Sequence, residues 1–184
     1  MRFAGGLYSM DAATLRRRFF SISICGILWL VLSMLLPVLL PVSAMIDAWR
    51  RARWLRSRLI CFFWCYLTFQ LIGLTVLGWI FLRYRPADPR YLAAHHMLQR
   101  WWCWNLLQSG SRIMGFKYQV EGQECVEQGP ILVFLRHTSF VDVLFGQSFV
   151  ARPANLNLRY VLKKELKQDP CLDIFMSRTP NCFV

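Results

Sequence analysis

Two long apolar segments dominate the first half of this chain. Residues 19–46 and residues 59–82 each contain no charged side chain. A helix that crosses the hydrocarbon core of a bilayer needs roughly 20 apolar residues, so either segment is long enough. A cleaved signal peptide carries a shorter apolar core and is not followed by a second such segment. The sequence therefore predicts a membrane anchor of two apolar helices within residues 1–85.

Clusters of arginine border both apolar segments. They lie at residues 16–18, at residues 50–58 between the segments, and at residues 83–90. Two full spans would place one cluster on the non-cytoplasmic side, against the positive-inside rule. A monotopic hairpin that enters one leaflet and returns would keep every cluster on the cytoplasmic face. Length alone favours two spans, whereas the charges favour the hairpin, which Pro37 and Pro41 would assist by kinking the first helix.

The composition narrows the class of partner. The net charge is +12, and 56% of the residues are apolar. A basic chain of this kind can bind nucleic acid, but arginines beside long apolar segments fit anionic lipid headgroups better. None of the seven cysteines forms a C-x-x-C pair. We therefore expect a lipid bilayer as partner and no nucleic acid, no metal site, and cysteines that act as small buried hydrophobes in a reducing compartment.

Residues 86–184 show a different pattern. Pro86-Ala-Asp-Pro89 breaks the apolar periodicity and marks a boundary between the anchor and a second domain. Beyond it, strand-like and helix-like segments alternate, which predicts an α/β domain with a mostly parallel sheet. The predicted helices cover residues 91–108, 143–150 and from 164 onward, and the predicted strands cover residues 116–121, 131–135 and 159–162.

The predicted helix at residues 91–108 carries three tryptophans and two adjacent histidines. Trp101, Trp102 and Trp104 suit a membrane–water interface and suit a helix that packs its aromatic side chains into a core equally well. His95 and His96 are adjacent and so face different directions on a helix. We therefore expect no two-histidine metal site there.

The segment Arg136-His137-Thr138-Ser139-Phe140-Val141-Asp142 follows an apolar run directly. If His137 lies in the turn that leaves a strand and Asp142 in the first turn of the next helix, the two side chains can meet. Asp142 would then accept a hydrogen bond from one imidazole nitrogen, and the other nitrogen would take a proton from an alcohol. Ser139 and Asp142 also have the spacing of a helix capping box, which is the alternative reading of the same residues.

Two stretches resemble the lysophospholipid acyltransferase family, the glycerolipid group that includes 1-acylglycerol-3-phosphate acyltransferases. They are residues 129–142, which contain the H-x4-D motif, and residues 159–166 with Pro170 after them. The hydrophobic two-helix anchor ahead of these stretches also resembles that family. The resemblance therefore covers most of the chain.

The resemblance implies a membrane-bound enzyme of phospholipid biosynthesis whose catalytic domain faces the cytoplasm. His137 would act as general base on an acceptor hydroxyl and Asp142 would orient it. The acyl group would come from acyl-CoA or acyl-carrier protein as a co-substrate, without another cofactor. The residues expected to bind substrate are Arg136, Ser139, Arg159, Lys163 and Lys164.

The chain departs from the family pattern after its second matching stretch. Residues 181–184 resemble only the start of the family's arginine block, and the later acceptor-binding blocks do not follow. We therefore expect an N-terminal portion of an acyltransferase that is inactive, or nearly so, on its own. The alternatives are a non-catalytic membrane adaptor that binds anionic lipid, and a small structural membrane protein in which Asp142 only caps a helix.

Overall fold

The computed structural model describes residues 11–126, 131–135 and 142–184, and this part of the chain is mostly helical. The remaining residues lie outside the description. The long helices come first and the short elements follow. The helices are α1 (Ala12–Trp49), α2 (Leu55–Arg83), α3 (Pro89–Met114), α4 (Asp142–Phe145) and α5 (Pro170–Arg178), and the strands are β1 (Val161–Leu162) and β2 (Cys182–Phe183).

Helices α1 and α2 form an antiparallel hairpin. Trp29 Nε1 donates a hydrogen bond to Thr68 Oγ1 at 3.0 Å. Towards the turn, Ser43 Oγ and Ser57 Oγ lie 3.1 Å apart. Helix α1 continues through both of its prolines, and the chain reverses only at residues 50–54. The reversal therefore lies at the turn, and a kink of α1 at the prolines stays a prediction.

Both hairpin helices are long and apolar enough to cross a membrane, which confirms the two predicted apolar helices. Little of either helix is buried within the protein. Helix α1 leaves large apolar side chains open along its length, including Phe19, Met34 and Met45, which are 73%, 78% and 68% exposed. This apolar face is the property expected of a membrane-associated hairpin.

Helix α3 packs along α2 over most of its length. Trp102 is fully buried and its Nε1 donates to the backbone oxygen of Phe69 at 2.9 Å. Near the hairpin turn, Gly110 lies against Phe62 so closely that a Cβ added there would be 3.0 Å from the ring. The core that forms around Trp102 joins side chains of α2, α3, α5 and β1. The anchor and the following segment thus share one core, and the division at residue 85 stays a prediction.

Helix α5 docks on α2 through a buried polar cluster. Asp169 caps α5 by accepting the Leu172 N–H at 2.8 Å, and it also accepts hydrogen bonds from the Tyr66 hydroxyl and the Gln70 amide. Gln70 is 1% exposed and its Oε1 accepts the Cys171 N–H at 3.3 Å. Burial raises the pKa of Asp169, and these hydrogen bonds counter part of that increase.

The sheet is far smaller than expected. Strands β1 and β2 are parallel, with Val161 opposite Cys182 and Leu162 opposite Phe183. Strand β1 lies within the predicted strand at residues 159–162, whereas its partner β2 was not predicted. The predicted strands at residues 116–121 and 131–135 are wrong, because the described residues there form no ladder. Leu132 and Phe134 are 84% and 89% exposed. An apolar run becomes a buried strand only when neighbouring strands and covering layers pack on it, and no described strand pairs with this run.

The helices predicted after α2 agree more closely with the structure than the predicted strands do. Residues 91–108 lie inside α3, and residues 143–150 span most of α4 and a π-helix at Gly146–Ala151 that continues it. The helix expected from residue 164 is a 3-10 helix at Lys164–Gln168, which leads directly into α5.

Candidate active site

Asp142 is the first residue of α4 and is half-buried. It therefore occupies the first helical turn, where the H-x4-D geometry requires it. A carboxylate in that position also interacts favourably with the positive end of the helix dipole. His137, Arg136 and Ser139 lie outside the described residues, so the pairing of His137 with Asp142 stays a prediction.

The described segments on the two sides of the H-x4-D motif lie side by side. Leu135 stands two residues before His137, and Gly146 stands one helical turn after Asp142. A Cβ added to Gly146 would lie 3.4 Å from Leu135 Cδ1 and 3.3 Å from the Tyr160 hydroxyl. A side chain at Gly146 would therefore require the Tyr160 hydroxyl to move slightly. The arrangement brings Leu135 against the π-helix, a distortion that often marks functional sites.

The basic residues around β1 point outward. Arg159, Lys163 and Lys164 are exposed, whereas Leu162 is buried between them. The cations therefore lie on the solvent side, where they can reach a phosphate group. Lys167 differs from them, because its Nζ lies 4.4 Å from the centre of the Phe183 ring and packs on β2.

The tryptophans of α3 divide between the two expected roles. Trp102 is in the core, while Trp101 is 43% exposed and packs on Phe69. Trp104 is half-buried, with the Arg152 guanidinium 3.9 Å from its ring centre. One helix therefore supplies both core aromatics and a more exposed aromatic edge.

The histidines of α3 are buried and neutral. Burial lowers the pKa of both His95 and His96. His95 Nδ1 lies 2.7 Å from the Tyr91 backbone oxygen, and the His95 and Tyr91 rings pack at 4.3 Å. Within residues 11–126, 131–135 and 142–184, no group of three or more potential ligands is placed to hold a metal ion.

Sequence reasoning missed the acidic residues that attach α5 to the hairpin. Asp173 is 1% exposed and binds Arg17 Nη2 at 3.0 Å and Arg18 Nε at 2.7 Å. These arginines were expected to face lipid headgroups, and instead they pair within the protein. The available signal was an aspartate one helical turn after the Asp169-Pro170 cap in an otherwise apolar helix, since a buried carboxylate requires a cationic partner.

Comparison with known proteins identifies the segment that contains the candidate site. Residues 117–184 match the model of the acyltransferase family. This range includes the H-x4-D motif, α4, both strands and α5, and it confirms the resemblance over these residues. No curated protein and no solved structure matches the chain.

Proposed function

We propose that this chain supplies the general base of a membrane-bound O-acyltransferase that moves a fatty acyl group to the hydroxyl of a lysophospholipid. The family match at residues 117–184 carries the proposal, because it spans the His137–Asp142 motif. The two apolar helices ahead of that segment support a substrate drawn from the bilayer.

The proposed reaction needs one base and one activated acyl donor. His137 Nε2 takes the proton of the acceptor hydroxyl as the hydroxyl oxygen attacks the thioester carbonyl carbon. The carbon–sulfur bond then breaks, and the leaving thiolate takes the proton back from the imidazolium. The products are a phospholipid ester and a free thiol, on CoA or on acyl-carrier protein. Asp142 holds the imidazole in the tautomer that leaves Nε2 free.

Basic side chains around the site would hold the phosphates of the two substrates. Arg159, Lys163 and Lys164 lie exposed around β1, and Arg136 is adjacent to the base in sequence. Guanidinium and ammonium groups form short, charge-assisted hydrogen bonds with phosphate oxygens. We assign these residues to substrate binding, together with Ser139, which lies between His137 and Asp142 in sequence.

The packing of α3 favours a hairpin that lies in the cytoplasmic leaflet rather than across the bilayer. Helix α3 runs along α2 and carries exposed or half-buried arginines near its start, middle and end, at Arg90, Arg100 and Arg112. If α2 stood perpendicular to the bilayer, Arg100 in the middle of α3 would be drawn into the hydrocarbon core, which costs roughly 2.5–3.5 kcal/mol near the centre. In the membrane plane, α1 can bury its apolar face while α3 and the catalytic segment stay in water.

The second candidate is a membrane adaptor that binds anionic lipid without turnover. The exposed apolar face of α1 and the net charge of +12 favour membrane binding whether or not catalysis occurs. The two candidates differ in one measurable property, which is acyl transfer.

The test is an acyl-transfer assay on the full-length protein in membranes. Labelled acyl-CoA and lysophosphatidic acid are the substrates, with acyl-carrier protein as the second donor. We expect turnover, and a loss of at least about hundredfold in His137→Ala, the typical contribution of a general base. Unchanged turnover in His137→Ala would reject the base, and no turnover in the parent protein would favour the adaptor.

A further inference from the structure

The turn between α1 and α2 forms a basic cleft. It is lined by Arg51, Ala52, Arg53, Leu55, Arg58 and Met114, and its volume is about 390 Å³. This volume lies within the range of small-ligand sites, which is roughly 300–1,000 Å³. The turn and the end of α3 therefore border an open cleft that one small group can fill, and three of its six lining residues are arginines.

The backbone of the turn sets the positions of the arginines. Arg51, Arg53 and Trp54 have left-handed φ angles of 51°, 46° and 62°. Few residues other than glycine adopt this conformation. Ala52 N–H donates to the Asp47 backbone oxygen at 2.9 Å, which closes the turn. The two exposed arginines are thus held on a tight, defined turn instead of on a free loop.

Arg58 forms the third wall and is fixed by α3. Its Nη1 donates to the Met114 backbone oxygen at 3.0 Å. Gly115 caps α3 with φ of 74°, and a Cβ added there would lie 3.1 Å from Arg58 Nη1. A guanidinium has five N–H groups, and within the part of the chain that the structure describes only this one hydrogen bond is formed. Arg58 therefore keeps donors for a ligand.

Asp47, the acidic residue nearest to the cleft in sequence, pairs with residues outside the cleft and does not neutralise its arginines. Asp47 is 1% exposed and accepts hydrogen bonds from Arg56 Nη1 at 3.0 Å and from the Ser57 N–H at 3.0 Å. Neither Arg51 nor Arg53 forms an ion pair with any described residue. Three clustered cations without a carboxylate bind an anion, and guanidinium groups match phosphate in geometry.

The surroundings of the cleft indicate where that phosphate comes from. Trp49 and Trp54 flank the cleft and are 84% and 53% exposed, and Leu55 on its wall is 56% exposed. Exposed tryptophans beside arginines at the end of apolar helices are typical of the headgroup level of a bilayer. We propose that this cleft binds the phosphate of an anionic phospholipid headgroup, an inference that rests on the membrane association proposed above. The bound lipid would fix the depth of the hairpin turn at the membrane surface.

The test measures binding of the full chain to two kinds of vesicle, phosphatidylcholine alone and an equimolar mixture of phosphatidylcholine and phosphatidylglycerol. The cleft variant is Arg51→Gln with Arg53→Gln. The matched control is Arg85→Gln with Arg90→Gln, which removes the same charge from exposed arginines beyond the other end of α2. All four side chains are exposed, so both variants should fold.

Both variants lose the same diffuse attraction to an anionic surface, so we expect the cleft variant to lose at least about tenfold more affinity for the mixed vesicles than the control does. Binding to phosphatidylcholine alone should stay unchanged in both. Equal losses in the two variants would overturn the proposal in favour of diffuse attraction. Failure of the parent chain to bind either vesicle would instead contradict the membrane association itself.

Inorganic phosphate separates the two sources of the ligand. When phosphate is added at constant ionic strength, the parent chain should stay bound to the mixed vesicles. A lipid headgroup competes better than free phosphate because the bilayer anchors it beside the cleft. Displacement by phosphate to the level of the cleft variant would assign the cleft to a free anion and overturn the lipid source.

Discussion

Arg18 at the start of α1 donates a hydrogen bond through Nε to the carboxylate of Asp173 in α5, at 2.7 Å. The two residues are 155 positions apart in sequence. Arg17 donates to the other carboxylate oxygen at 3.0 Å, and the Ser177 hydroxyl adds a third bond at 3.2 Å. One buried aspartate thus ties the first helix of the hairpin to the last helix of the acyltransferase segment.

Replacing Asp173 by Asn should destabilise the protein by about 2–3 kcal/mol. The change leaves two arginines beside a neutral amide, and removal of one partner from a buried pair typically costs about 3–5 kcal/mol. We expect a smaller loss than this range because the Arg17 side chain is 35% exposed and water screens part of its charge. The free energy of unfolding is measured by guanidinium titration in detergent micelles.

Glu124→Gln is the control for that comparison. Glu124 is an exposed carboxylate in the 3-10 helix Gln123–Val126 and makes no hydrogen bond or ion pair with a described residue. Its replacement should change the free energy of unfolding by less than about 0.5 kcal/mol. If Asp173→Asn costs no more than this control, the tie between α1 and α5 does not contribute to stability.

The buried histidines of α3 should make the protein less stable as the pH falls. In the unfolded chain a histidine has a pKa of about 6.5, whereas burial lowers the pKa of His95 and His96 in the folded state. Below about pH 6.5 the unfolded state therefore binds more protons than the folded state, and stability decreases. The contribution of the neutral histidines to the free energy of unfolding is fully present above that pH and is lost as the pH falls.

The difference between the parent protein and His96→Gln isolates one of these groups. Glutamine stays neutral, so the stability of the variant should fall less steeply between about pH 7 and 5.5 than that of the parent. Guanidinium titrations at several pH values give both curves. Parallel curves would mean that His96 binds a proton as readily in the folded state as in the unfolded state.

The cysteines should react in order of their burial. All seven are free, and only Cys125 and Cys182 are exposed. Burial raises the pKa of Cys103 to about 12 and raises that of Cys171 well above its ordinary value, so neither forms the reactive thiolate at neutral pH. Mass spectrometry after brief iodoacetamide treatment should find the label on Cys125 and Cys182. Early labelling of Cys103 would contradict the packing of α3.

The helices were predictable from the sequence because their signals are local. The charge-free runs at residues 19–46 and 59–82 fall inside α1 and α2. Helix α3 begins at Pro89, the last residue of the predicted break, with Asp88 as its cap. Apolar content and helix caps depend on neighbouring residues alone, which is why they can be read from one chain.

The sheet and the long-range ion pairs were not predictable in the same way. The run at residues 131–135 has the composition of a buried strand, yet strand formation depends on partners far away in sequence. Likewise, the sequence at residues 16–18 does not show whether these arginines bind lipid phosphate or Asp173. Only the fold decides between these partners. The position of Asp142 in the first turn of α4 needed only the local pattern.

The central claim is that Asp142 holds His137 as a general base. Nitrogen-15 NMR of the imidazole rings tests it directly in the chain itself, which contains only three histidines. His95 serves as an internal reference because its Nδ1 is hydrogen-bonded to the Tyr91 backbone oxygen. Assignment of His137 follows from the spectrum of His137→Ala. The account predicts a single His137 tautomer with the proton on Nδ1 and a free Nε2, and loss of that preference in Asp142→Asn. A His137 signal that is unchanged by Asp142→Asn, in a variant that still folds, would contradict it.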